Sequence, residues 1–206
     1  LSNISARISR ISFQARAEGW LLDDLVFTMK TESNDTFSIP TSVKSNVQFS
    51  GNGPNAELLS YLWEQYLNEE STVFDRQNDY LCVVNSPLSS SLSTDINKLL
   101  KAAQSSTSDI LEARILQGKS GSFSESQVKL IQGFRCPSAL AKKHKIEEKE
   151  VWTLLSRVIL LEFDFENATS KDELQLRLYC KNCLSEADDS QADLLYAKLC
   201  ETRSEL

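Results

Sequence analysis

The chain predicts an α/β domain with a small central sheet and a helical C-terminal half. Three observations carry this. Residues 21–49 hold two β-prone runs around a polar turn. A short apolar run bounded by polar residues sits at 79–85. Beyond residue 95, helical spacing of apolar residues dominates. With 206 residues, 41% hydrophobic and 25% charged, the chain is long enough for one large soluble domain or two small ones.

In order, Ile4, Ile8, Ile11 and Ala15, with Phe13, Ala17 and Trp20, fall at helical intervals and predict a helix over 4–20 that ends near Gly19. Leu21 to Thr31, containing LVFTM, predicts a strand; Glu32 to Asp35 is a turn; Thr36 to Phe49 is a second strand. Pro40 within it suggests an edge or a bulge. Gly51-Asn52-Gly53-Pro54 breaks the chain. An amphipathic helix follows over Ala56 to Glu69, with Leu58, Leu59, Leu62, Trp63 and Tyr66 on its apolar side. Asp79 to Asn85 reads as a buried strand and Ser86 to Ser93 as a loop, with Thr94 capping a helix over 95–104.

Further on, DILEARIL is helical and Gly118 to Gly121 is a loop. Ser124 to Phe134 and Ser138 to Lys145 are short helices split by Cys136-Pro137. Glu150 to Phe165 turns β-prone after residue 157. Ser170 to Leu184 and Ser190 to Cys200 are closing helices. A core of about 1–135 with an extension of about 136–206 is expected within a single domain, and a start at Leu1 suggests a piece of a larger protein.

Charge is unevenly spread. Residues 1–50 are net 0, 51–96 net −6, 97–145 net +6 and 146–206 net −7. The basic third is either a phosphate-facing surface or solvated helix faces. Five scattered cysteines do not make a secreted disulfide scaffold, so a reducing, cytoplasmic setting is expected. No apolar run approaches the roughly 20 residues of a membrane span.

The chemistry-bearing residues are Glu18, Asp23, Asp24, Ser42, Val43 and Lys44. A hairpin can bring an acid that opens its first strand beside a lysine late in its second. A preceding helix can aim Glu18 at the same point. Hard oxygen ligands of this kind suit Mg²⁺, and a neighbouring lysine suits the charge that builds up in phosphodiester hydrolysis.

The stretch EGWLLDDLVFTMK (18–30) with FSIPTSVKS (37–45) resembles the PD-(D/E)XK nuclease signature. There, a helix glutamate precedes an acid at the start of a strand and (D/E/Q)-x-K follows on the next. The chain looks closest to double-stranded DNA nuclease domains of anti-phage defence effectors, and LSRVILLEFDFEN (155–167) resembles their distal half. The resemblance implies a restriction-endonuclease-like small central mixed sheet flanked by helices. It implies Asp24 as the chief metal ligand with Asp23 as neighbour or substitute, Glu18 as the helix acid, Lys44 as the catalytic lysine, and Mg²⁺, with Mn²⁺ able to substitute. The implied partners are double-stranded DNA and further copies of the chain, gathered by a sensor or ATPase module elsewhere in the full protein. Ser42 stands where the family has an acid or glutamine. Ligation through water, service by the Val43 carbonyl, and lost activity are the three consequences left open. Two other readings stay beside the nuclease: a decayed module of the same fold that binds DNA or oligomerises, and an unrelated α/β interaction domain.

Other motifs carry less. Cys180-Lys181-Asn182-Cys183 lacks the second ligand pair of a zinc site. His144 has no evident triad partner, though it stands among Lys142, Lys143 and Lys145, which form a weak candidate DNA contact. Neither Gly51-Asn52-Gly53 nor Lys119-Ser120-Gly121 has phosphate-loop spacing. Trp63, Trp152, Phe163 and Phe165 read as core aromatics.

Overall fold

The computed structural model describes residues 5–44, 46–67, 73–117, 123–164, 167 and 170–182. The strands are β1 (Ala6–Phe13), β2 (Leu25–Thr31), β3 (Thr36–Lys44), β4 (Phe49–Ser50), β5 (Gly53–Pro54), β6 (Leu81–Asn85) and β7 (Val158–Glu162). The helices are α1 (Ala56–Leu67), α2 (Ser90–Ser105), α3 (Ser108–Gln117), α4 (Glu125–Gly133), α5 (Ser138–His144), α6 (Glu150–Arg157) and α7 (Lys171–Asn182). Five strands form one mixed sheet in the order β1-β2-β3-β6-β7. The first three make an antiparallel meander. Strand β6 then joins β3 in parallel, with α1 as the crossover. The α/β class and the small central sheet are as expected.

The predicted helix over 4–20 is instead β1 followed by one 3₁₀ turn, Ala15–Glu18. The helical spacing has a local cause. The β1–β2 register slips between Ile8 and Arg10, so Ile8 pairs with Met29 and Ile11 with Phe27. The extra residue of this bulge puts two isoleucines three apart on the same face of a strand, which mimics helical period. Gln14 in the left-handed region (φ 45°) and Gly19 (φ 94°) bound the turn.

Pro40 marks no edge either, because β3 is the middle strand of the sheet. It faces Val26 of β2, and the parallel ladder with β6 begins only at Thr41. Before that point, the side chain of Asp79 takes the N–H of Ser38 at 2.6 Å.

Two further expectations shift. Helix α2 starts at Ser90, inside the predicted serine loop, and Thr94 lies within it, donating its hydroxyl to the Ser90 carbonyl at 2.7 Å. Helix α4 is capped as its sequence suggests, by a reciprocal Ser124–Gln127 box. The expected strand after residue 157 is β7. The predicted loop at 118–121, the helix at 190–200, Phe165 and the Cys180/Cys183 side chains lie outside what is described.

The core gathers Trp63, Leu58, Leu62, Val26, Leu81, Val83, Leu99, Leu130, Phe134, Trp152 and Leu155 from the sheet and helices α1, α2, α4 and α6. Trp63 is fully buried and donates its indole N–H to the Phe134 carbonyl at 2.9 Å, tying α1 to the end of α4. The chain divides into two compact units, residues 1–161 and 162–206. Helices α5 and α6 therefore belong with the sheet, and no division falls near residue 135. In the second unit, Ser170 caps α7 by accepting the Glu173 N–H at 3.1 Å, and Glu173 pairs with Arg177. Among the described residues, no helix is long and apolar enough to cross a membrane.

Candidate active site

Strand alternation assembles the site. Val26 faces Pro40 across the β2–β3 ladder. Asp24 lies two residues before Val26, and Ser42 and Lys44 lie two and four after Pro40, so all three side chains emerge on one face at one end of the strand pair. Asp24 Oδ2 accepts the Val43 N–H at 2.7 Å and the Ser42 hydroxyl at 3.3 Å, and stands 3.9 Å from Lys44 Nζ. Val43 presents its N–H toward Asp24, and a strand residue directs N–H and C=O to the same side. Its carbonyl is therefore aimed toward the same end of β2.

The segment before β2 is pinned as well. The carbonyls of Asp23 and Asp24 accept the N–H groups of Ala15 and Gln14 at 2.9 and 3.3 Å. Ser42 is buried, whereas Asp24 and Lys44 keep 41% and 38% of their side chains exposed. That exposure leaves room for a ligand, and it makes the Asp24–Lys44 ion pair itself a small contributor to stability.

Glu18 does not join them. Its carboxylate takes Arg10 Nη2 at 3.1 Å, and both side chains are exposed. With the predicted helix replaced by β1 and a 3₁₀ turn, Glu18 reaches back to the preceding strand, and no contact among the described residues links it to Asp24. Lys142, Lys143 and Lys145 lie exposed at the end of α5, with no contact to the cluster.

Sequence reasoning missed the other wall. Lys44 lines a cleft of about 180 Å³ together with Asn46, Gln48, Glu57, Leu58 and Tyr61. Glu57 and Tyr61 stand one turn apart on α1, and the guanidinium of Arg16 sits 5.6 Å from the Tyr61 ring centroid. The amides of this wall are ordered. Gln48 donates its N–H to Asn85 Oδ1 and its side-chain N–H to Asn46 Oδ1. Asn55 donates to Gln48, and accepts the Leu58 N–H at the start of α1. A glutamate in the first turn of a helix reads from sequence as a dipole partner, which hid Glu57. The available signal was its place in the first turn of the helix that crosses over from β3 to β6.

Among the described residues, no three of His, Cys, Asp and Glu converge as a metal cluster. The Asp24 carboxylate and the Val43 carbonyl are directed to the same end of β2, and Glu57 lines the cleft beside Lys44. Asp24 Oδ1 accepts no hydrogen bond from the described residues, because Val43, Ser42 and Lys44 all meet Oδ2. Asp24 Oδ1 and the Val43 carbonyl are hard oxygens of the type that Mg²⁺ takes, an ion that fills its remaining positions with water.

No family model, no curated protein and no solved structure matches the chain.

Proposed function

We propose that the chain is a metal-dependent endonuclease domain that hydrolyses double-stranded DNA with little sequence preference, acting as an effector in anti-phage defence. The observation that carries the reading is the meeting of Asp24 and Lys44, 3.9 Å apart at one end of adjacent antiparallel strands. Asp24 Oδ1, the Val43 carbonyl and Glu57 are the groups that would hold Mg²⁺, with Mn²⁺ as a substitute. A bound Mg²⁺ polarises a phosphate and acidifies a coordinated water. Lys44 supplies positive charge where the phosphate gains negative charge. Val43 N–H and the Ser42 hydroxyl hold Asp24 Oδ2 and so fix the direction of its free oxygen. Arg16 over Tyr61 offers a cation for the DNA backbone beside the cleft. In this reading Glu57 takes the part expected of Glu18, and of the acid absent at Ser42.

The resemblance noted in the sequence extends the proposal to a cytoplasmic protein in which a sensor or ATPase module gathers several copies. A decayed module that only binds DNA or oligomerises is the second reading; the serine at position 42 favours it. Plasmid cleavage by the full-length protein in its activated state, with Mg²⁺, Mn²⁺ or EDTA, decides between them. Metal-dependent degradation that disappears in Asp24→Ala and Lys44→Ala supports the nuclease. No degradation from folded, assembled protein in either metal supports the decayed module.

A further inference from the structure

We infer that Gln65 is a positioning residue that holds the Asp23–Asp24 segment from α1 through the backbone of Leu21. The inference rests on the nuclease reading above. Gln65 is fully buried, and its neighbours Leu62, Tyr66 and Leu67 on the same helix are core residues. Its Oε1 accepts the Leu21 N–H at 2.5 Å across 44 positions of sequence. Its Nε2 is buried with no hydrogen-bond partner among the described residues.

A buried amide with an unmet donor costs stability, and an apolar side chain of similar volume would fill the space without that cost. The side chain is therefore poorly explained by packing. Its one satisfied bond points to what it does. Leu21 lies between Trp20 and Leu22, both buried, and three residues before Asp24. The Asp23 and Asp24 carbonyls are held by Ala15 and Gln14, and the Asp24 carboxylate by Val43. Gln65 adds the remaining restraint, from the helix side.

The spacing gives this restraint a purpose. Glu57, Tyr61 and Gln65 recur every four residues, so they share one stripe of α1. The first two line the cleft beside Lys44, and the third grips the segment that delivers Asp24. One helix thereby carries both Glu57, which lines the cleft with Lys44, and Gln65, which holds the segment leading to Asp24.

The test compares wild-type full-length protein with Gln65→Met, which keeps the volume and removes the acceptor. It measures Mg²⁺-dependent duplex cleavage, the urea midpoint, and amide exchange at Leu21. The expected result is faster exchange at Leu21, an unchanged urea midpoint, and kcat lower by about 10- to 100-fold with KM unchanged, since misplacement of about 1 Å has effects of this size. Unchanged kcat, or unchanged Leu21 exchange, in a folded variant overturns the inference while leaving the nuclease reading intact. A wild-type protein with no metal-dependent cleavage overturns both. If Gln65→Met does not fold, Gln65→Leu, also apolar and without an acceptor, takes its place with the same expectations for Leu21 exchange and kcat. Lost kcat with Leu21 still protected then overturns the inference.

Discussion

The backbone N–H of Val43 donates to Asp24 Oδ2 at 2.7 Å, so the strand that carries Lys44 also fixes the carboxylate that Lys44 faces. Charge and scaffold can therefore be separated at Asp24. In Asp24→Asn, the amide oxygen still accepts from Val43 and the charge is gone. In Asp24→Ala, both are lost. We expect cleavage to fall by about 10²-fold or more in each. Stability should hold within about 0.5 kcal/mol in the asparagine variant and fall by about 1.5–3 kcal/mol in the alanine variant, the range for a hydrogen bond to a charged group. Urea unfolding beside the cleavage assay checks this. Equal destabilisation of the two variants would mean that the Val43 contact contributes nothing to folding.

Glu57 and Ser42 make opposite predictions. Glu57 is exposed on α1 and lines the cleft with Lys44, whereas Ser42 is buried and offers Asp24 only a 3.3 Å hydroxyl contact. If Glu57 supplies the second carboxylate, Glu57→Gln removes metal-dependent cleavage by about 10²-fold with little effect on stability. Ser42→Ala then keeps activity within a few-fold. Rates measured across a Mg²⁺ titration distinguish the two. An inactive Ser42→Ala beside an active Glu57→Gln would reverse the assignment.

The hairpin of β2 and β3 was legible because its runs are β-prone, its turn is polar, and period-two alternation fixes which side chains share a face. Asp24 and Lys44 follow from that alone. Strand β1 was not legible, because the bulge between Ile8 and Arg10 writes a helical interval into a strand. The helix expected to carry Glu18 was misread for the same reason; Glu18 stands on a 3₁₀ turn and pairs with Arg10. Glu57 and Gln65 were hidden differently. The cleft that Glu57 shares with Lys44 and the Gln65–Leu21 bond arise only when the βαβ crossover lays α1 beside the β2–β3 end, and a sequence shows no such distance. Pro40 misled because the rule against proline in interior strands applies where its missing N–H would join a ladder, and here the β6 ladder begins one residue later.

Asp79 gives a pH signature. Its buried carboxylate holds the Ser38 N–H at 2.6 Å and the Asp75 N–H at 2.8 Å, pinning β3 to the loop before β6. Burial raises its pKa above the ordinary 3.8, against the lowering effect of those two N–H groups. The folded state therefore binds this proton more tightly than the unfolded state. The stabilisation that comes with the proton is fully present below the unfolded value and is lost as pH rises through the folded value. Asn at this position cannot titrate. The stability of Asp79→Asn relative to wild type should rise as pH increases above about 3.8 and then level off. Urea midpoints of both proteins between pH 3.5 and pH 7 check this. A constant difference across that range would remove Asp79 as a linked group.

Gly133 tests the wall of the cleft from behind. It ends α4 against the turn between β4 and β5, where an added Cβ would lie 1.7 Å from the Asn52 carbonyl oxygen and 2.9 Å from Gly53 Cα. Gly53 in turn sits at φ +96° with its own missing Cβ facing the Gly133 backbone at 2.9 Å. Both obstacles are backbone, so no side-chain rotation relieves them. The β4–β5 hairpin must move, and with it Gln48 and Asn55, which order the cleft and open α1. Gly133→Ala should therefore cost about 2–3 kcal/mol and weaken cleavage beyond what the unfolded fraction explains. Gly51, on the same turn, has nothing within 4 Å of an added Cβ, so Gly51→Ala should stay within about 0.5 kcal/mol of wild type. Thermal unfolding of the two variants, with cleavage rates normalised to folded protein, measures both effects. Equal stability of the pair would show that α4 yields to the hairpin. A destabilised Gly133→Ala with normal cleavage per folded molecule would show that the cleft does not depend on the hairpin's seat.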